Sequence, residues 1–310
     1  AGREARPDSA HGDAPGSSAG AGGSGMLAGV LRSLPEAEVA DGNEAAVLSE
    51  AGEMYRRMLA DVEAARHHVH MVYYIWNDDR WGRTFREALI RKAREGVEVR
   101  VIVDGIGAYG TRKEFWDEVR KAGGEVHTFL PVRLSLFARQ LNYRNHRKLT
   151  VVDGNIGYVG GINIGDEYTG ADKKLGYWRD TAVRLKGGAV RALQRTFLAD
   201  WGFASGAWLV REARYFPEGG AEGGCRVVTL PDGPDGERRV VFEMMFAAIA
   251  SAKVRVFVTT PYFIPDRGLL AALKAAARAG ADVRIIIPGK ADTKLTLWAT
   301  LSYVEELLRA

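Results

Sequence analysis

The chain is 310 residues long, 46% hydrophobic and 26% charged, with 43 Lys and Arg against 39 Asp and Glu. That is the composition of a globular chain with room for two domains, and a net charge of +4 is too small to identify a partner, so electrostatic arguments must be local. The single cysteine, Cys225, excludes an internal disulfide and any cysteine-based zinc site.

Residues 1–45 read as a disordered or linker segment, because Ala1–Gly25 is rich in Gly, Ala and Ser with little to bury. No window reaches the roughly 18 apolar residues of a transmembrane candidate, and the start carries no charged stretch leading into an apolar one. The chain opens on Ala, so sequence upstream is expected to be missing.

Regular periodicity begins near Val47. Glu53–Ala65 places Met54, Met58, Leu59 and Val62 at helical spacing. Val69–Trp76 reads as a buried strand. His67, His68 and His70 precede it and resemble a metal cluster, but they lead directly into the apolar run, and alternating positions there are expected to face solvent. Trp81–Glu95 is an amphipathic helix stopped by Gly96, and Val97–Val103 is a second strand ending at Asp104-Gly105. A helix over Phe115–Ala122 and a strand over Val126–Leu130 follow. Strands alternating with helices imply crossover units and a sheet covered on both faces, an α/β fold.

From Val126 to Val152 there is no acidic residue, while Arg133, Arg139, Arg144, Arg147 and Lys148 accumulate among Leu134, Leu136, Phe137 and Leu141. The stretch suits a membrane interface with anionic headgroups, and equally an ordinary loop covering the core. It has few aromatic residues for stacking on bases, so no nucleic-acid partner is expected.

The densest stretch runs from Asn145 to Tyr168, NHRKLTVVDGNIGYVGGINIGDEY. It sets His146, Lys148 and Asp153 in an H-x-K-x-x-x-x-D spacing, followed by Gly160, Gly161 and Asn163. Leu149–Val152 reads as a strand, so alternation puts His146 and Lys148 on one face, where they can converge on one anion. Asp153 has the opposite parity and sits in the Asp153-Gly154 turn, which it is expected to secure. The two glycines allow close approach of backbone to a ligand. A His nucleophile, a Lys charge, an Asn donor and bare backbone suit phosphate chemistry.

Beyond the motif lie Tyr177-Trp178-Arg179-Asp180-Thr181 and the strand-like Ala182–Leu185. The pattern then returns: Val97–Val103 corresponds to Ala281–Ile287, an offset of 184 residues, each copy preceded by a helix ending in glycine and an aromatic strand. The same offset puts a second His beyond Ala310, so the second copy is expected to stop before its own motif.

The motif block resembles the signature of the phospholipase D superfamily, and GGINIGDEY is most similar to bacterial cardiolipin synthases. The resemblance implies a phospholipase D-type α/β/α sandwich, internally duplicated with the second copy incomplete. Residues 46–220 would be the first domain, and residues 221–310 the start of a second, truncated before its motif. It further implies a phosphatidyltransferase moving a phosphatidyl group between phosphatidylglycerol molecules through a phosphohistidine. The alternatives are a hydrolytic phospholipase D or a nuclease-like phosphodiesterase.

In that reading His146, Lys148 and Asp153 are catalytic, Asn163 and Gly161 bind the substrate, and Asp180 hydrogen-bonds the imidazole. Asp180 could equally be a surface carboxylate paired with Arg179 or Arg184. No metal or cofactor is required. The partners would be anionic phospholipid and a bacterial membrane surface, with any transmembrane anchor outside this chain, and the fragment alone would be inactive. One departure stands out: Gly161 occupies a position where many superfamily members have Ser, although cardiolipin synthases tolerate Gly there.

Overall fold

The computed structural model describes residues 25–131, 144–171, 176–209, 213–218, 223–233, 236, 238–289 and 294–310. They belong to two compact units, one over Pro35–Val240 and the other formed by Ala1–Leu34 with Val241–Ala310.

The larger unit is built on eight strands: β1 Glu38–Leu48, β2 His68–Tyr73, β3 Glu98–Asp104, β4 Glu125–Phe129, β5 Lys148–Val152, β6 Ile156–Gly160, β7 Ala182–Lys186 and β8 Cys225–Thr229. They form one mixed sheet in the order β4-β3-β2-β5-β6-β7-β1-β8. β2, β3 and β4 run parallel, while β5 turns back antiparallel against β2 with Tyr73 opposite Lys148 and Val69 opposite Val152. The helices are α1 Met26–Arg32, which belongs to the smaller unit, then α2 Ala51–Ala64, α3 Arg80–Arg94, α4 Asp117–Lys121 and α5 Val190–Ser205.

Alternation along β2 divides the core into two layers. Val69, Met71 and Tyr73 join Met54, Met58, Phe85 and Leu89 of α2 and α3. Val72 points the other way, into a cluster with Val190, Leu193, Phe197 and Trp201 of α5. Every residue of β2 is buried, as a central strand covered on both faces requires.

This corrects one expectation. His68 and His70 do not face solvent; both are fully buried on the α5 side, where Gln194 reaches both rings. The linker expected over residues 1–45 is likewise structured in part, since α1 lies within it and β1 begins in it. β1 escapes sequence reading because it pairs with β7 and β8 through a modestly apolar, half-exposed strand interrupted by a register shift between Ala40 and Asn43. β8, which lies past residue 220, completes the first sheet rather than opening a second.

The smaller unit repeats the β2–α3–β3 crossover. Its β9 Arg255–Thr259 and β10 Asp282–Ile286 pair in parallel around an intervening helix, α7 (Arg267–Arg278), which follows α6 (Val240–Ala250) in the chain. The correspondence extends to the helix ends. Asp79 caps α3 by accepting from Gly82 N, and Asp266 caps α7 by accepting from Leu269 N. Gly96 and Gly280 close the two helices at φ of 85° and 94°, the left-handed region that favours glycine. The chain ends in α8 Lys294–Leu301 and α9 Val304–Leu308.

Candidate active site

The site lies where the C-terminal end of β2 meets the start of β5. Lys148 is the first residue of β5 and pairs with Tyr73, so the segment before it passes the end of β2. Lys148 Nζ lies 2.9 Å from His146 Nδ1 and donates to His146 O at 2.6 Å. The two motif residues expected to share a face therefore touch.

The ring of Tyr74 forms the wall behind them. Its centroid is 4.5 Å from that of His146 and 5.3 Å from Lys148 Nζ. Gly107 lets the loop after β3 close over this wall, since a Cβ there would fall 2.2 Å from Tyr74 O.

Burial sets the electrostatics. His146 is held below the usual histidine range, first by desolvation and then by the Lys148 charge, with Asp104 opposing. Desolvation pulls the Lys148 amine down to about 8, against the charges of Asp180 and Asp104. The pair is thus a neutral imidazole beside an ammonium close to its own titration point.

The neighbours of His146 in sequence turn elsewhere. Asn145 Nδ2 and Arg147 NH1 both donate to the Asp200 carboxylate of α5, each at 2.8 Å. Arg147 NH2 also reaches Asp232 O. Arg144 forks onto Asp104, the last residue of β3, at 3.0–3.1 Å, and Asn145 N donates to the same carboxylate. Asp104 also accepts from Ile106 N and Gly107 N.

The other expected site residues divide. Asp153 sits at the far end of β5 and accepts from Arg66 N, His67 N and His68 N, so it ties the start of β2 to the turn. Asn163 is buried, with Oδ1 accepting from Ile75 N and Nδ2 donating to Tyr168 OH. Its amide holds the loop after β2 in place. Gly161 N donates to Thr181 O at 2.9 Å.

The glycine pair admits protein rather than open space. A Cβ at Gly160 would lie 2.4 Å from Ala182 Cα, and one at Gly161 would lie 2.1 Å from Asp180 Oδ1. Asp180 itself accepts from Thr181 N at 2.6 Å and acts on the site through its charge on Lys148. The basic and apolar stretch expected as an interfacial lip falls largely on residues 132–143, outside the described residues. Among the described residues, no group of three or more His, Cys, Asp or Glu is placed to hold a metal ion.

Sequence reading missed Tyr74, Asp104 and Asp200. The first two were within reach, since α/β ligand sites gather at the carboxyl ends of parallel strands and these residues sit at the ends of β2 and β3. Asp200 lies in mid-helix, and nothing in its local sequence marks it.

Residues 58–201 and 245–310 match the family described as cardiolipin synthase, phospholipase D-like domain. The chain belongs to this family. The major cardiolipin synthase ClsA of Bacillus subtilis is 45% identical over 269 residues, covering 86% of this chain and 56% of that protein. A cardiolipin synthase of Listeria monocytogenes is 43% identical over 267 residues, covering 86% and 55%. The chain thus spans a little over half the length of these curated relatives. Among solved structures, the phosphatidylserine synthase of Haemophilus influenzae superposes with a TM-score of 0.63 at 16% identity, over 91% of this chain and 72% of that one. That likeness shows a shared fold, and the phospholipase D-like designation of the domain comes from the family match. Among its described residues, no helix is long and apolar enough to cross a membrane.

Proposed function

We propose that the chain carries the nucleophile-bearing half of a phosphatidyltransferase of the cardiolipin synthase type. The observation that supports it best is the His146–Lys148 pair, an exposed imidazole held below its usual range beside an ammonium 2.9 Å away.

While the Lys148 ammonium donates to Nδ1, the proton of the neutral imidazole sits on Nε2. A phosphodiester that draws the ammonium onto its own oxygens lets the ring carry its proton on Nδ1 and exposes the Nε2 lone pair. Nε2 then attacks phosphorus: the N–P bond forms, the bond to the departing glycerol oxygen breaks, and a phosphatidyl-histidine remains. Lys148 stabilises the charge gathering on the phosphoryl oxygens. A second alcohol reverses the step, forming a new P–O bond as N–P breaks. Each direction needs a group to give or take the alcohol proton. We assign that role to a second motif, as the internal repeat implies. The substrate in this reading is phosphatidylglycerol at a bacterial membrane surface, the second substrate is another phosphatidylglycerol, and the chain alone turns over little.

The test is incubation of this chain, and of a longer protein containing it, with phosphatidylglycerol vesicles, followed by separation of the lipids. Cardiolipin with free glycerol is the expected result from the longer protein. Phosphatidic acid in its place would make the protein a hydrolase, and unchanged lipid with cleaved DNA would make it a nuclease.

A further inference from the structure

The chain of contacts around Asn145–Lys148 has a regularity that the chemistry of His146 does not require by itself. Along an extended segment, successive side chains point to opposite faces. Asn145 and Arg147 share one face, and both end on the Asp200 carboxylate of α5. His146 and Lys148 share the other face and meet each other. Asn145 Oδ1 also accepts from Arg147 N at 3.0 Å, closing a small ring around the His146 backbone.

The segment is charged, which makes the anchoring necessary. Arg144, Arg147 and Lys148 lie within five residues, and three cations so close would spread apart or compete for one anion. Asp104 takes Arg144 and Asp200 takes Arg147, both carboxylates lying in buried positions. Lys148 instead bonds to His146. A bidentate carboxylate with two charge-assisted bonds is a stiff anchor, and α5 is a 16-residue helix packed on the sheet.

We propose that Asp200 is a positioning residue, holding Asn145 and Arg147 to α5 so that His146 and Lys148 are presented ready-formed, with Asp104 as the second anchor. Asp200 acts through the backbone of the motif and does not touch the phosphate. The rate consequence rests on the phosphatidyl-transfer reading above, whereas the geometric one does not.

The experiment uses two readouts. In the chain labelled with carbon-13 histidine, the ring signals of His146 are followed in wild type, Asp200→Asn and Asn145→Ala, and those of buried His68 and His70 report whether the fold persists. In the transfer assay on the longer protein, kcat and KM are measured for the same variants. We expect the His146 signals to move towards free-histidine values while His68 and His70 keep theirs. Displacement of a reacting group by about 1 Å costs about 10²-fold, so kcat should fall by that order with KM within about threefold. The double variant should be no slower than the slower single one, because both substitutions cut the same link. If Asp200→Asn loses the His68 and His70 signals, Asn145→Ala decides alone. Unmoved His146 signals overturn the proposal whatever the lipid assay gives, and so does a wild-type kcat in a variant whose signals have moved. A wild-type protein that transfers no lipid would refute the functional reading while the ring signals still judge the anchor.

Discussion

The β2–β5 pair carries histidines at both ends, and the two ends differ in what surrounds them. At one end His146 is exposed beside Lys148 and Tyr74. Further back along β2, His68 and His70 are sealed beneath α5. Gln194 bridges the two rings, His70 Nε2 lies 3.2 Å from Glu98, and the His70 ring stacks on Phe197 at 4.3 Å. Burial lowers all three, taking His68 to about 3 and His70 well below its ordinary value, further than it takes His146. A search for perturbed titration alone would choose the sealed pair. Access is what sets His146, the histidine proposed to react, apart from the sealed pair, and it comes from its lying just outside the strand.

The sharpest way to break this comparison is to exchange the consequences of substitution. His146→Ala should abolish lipid transfer, whereas His70→Gln should leave the rate per folded molecule within a few-fold and cost stability instead. Losing a buried hydrogen-bond partner costs about 1–3 kcal/mol, so thermal melting separates the two. A His70→Gln protein that melts like wild type but transfers nothing would reverse the assignment.

A smaller but still large effect should follow from Lys148→Ala. If Lys148 serves charge that develops in the transition state, kcat falls by about 10²–10³ while KM changes little. Lys148 titrates at about 8, so wild-type kcat/KM should decline above that pH as the ammonium loses its proton. Lys148→Arg keeps its charge, and whatever activity it retains should lack this alkaline limb. A limb that persists in the arginine variant would assign it to another group.

The smallest effect belongs to the sealed end and concerns stability. An unfolded histidine takes up a proton near about 6.5, while the folded His68 resists down to about 3. Below the unfolded value the unfolded chain therefore binds more protons than the native one. The stability these groups contribute is complete above that value and falls as the pH drops, by at most about 1.4 kcal/mol per pH unit for each histidine. Chemical denaturation at stepped pH should show the slope, and His68→Gln should lessen it. An unchanged slope would mean that other groups drive acid unfolding.

Much of this architecture was legible in the sequence where one periodicity ruled a segment. α3, β3 and β5 lie within a residue of their expected spans, β2 ends three residues before its expected end, and the repeat is legible through Val97–Val103 and Ala281–Ile287 because both copies carry the apolar run of a parallel strand. His146 and Lys148 were legible for the same reason, since parity alone sets them together. β1 was not, because its residues are half-exposed and its place depends on partners more than 100 residues away. Asp200 was not, because an aspartate in a helix looks solvated until the strand it faces is known. The phosphate-donor reading of Asn163 comes from the motif alone, whereas the bonds of its amide to Ile75 N and Tyr168 OH are a use that only tertiary contact reveals.

The meeting of Gly161 with Asp180 has a consequence for how such a sequence can change. The carboxylate lies 2.1 Å from where a side chain at 161 would begin, so the two positions share one volume. A serine introduced at 161 must displace Asp180, and with it a charge that sustains the Lys148 ammonium. The substitution would then be easier in a background where position 180 has already retreated. Two residues 19 apart in the chain behave as a single character, and an evolutionary path that altered them in the wrong order would pass through a protein with an impaired lysine.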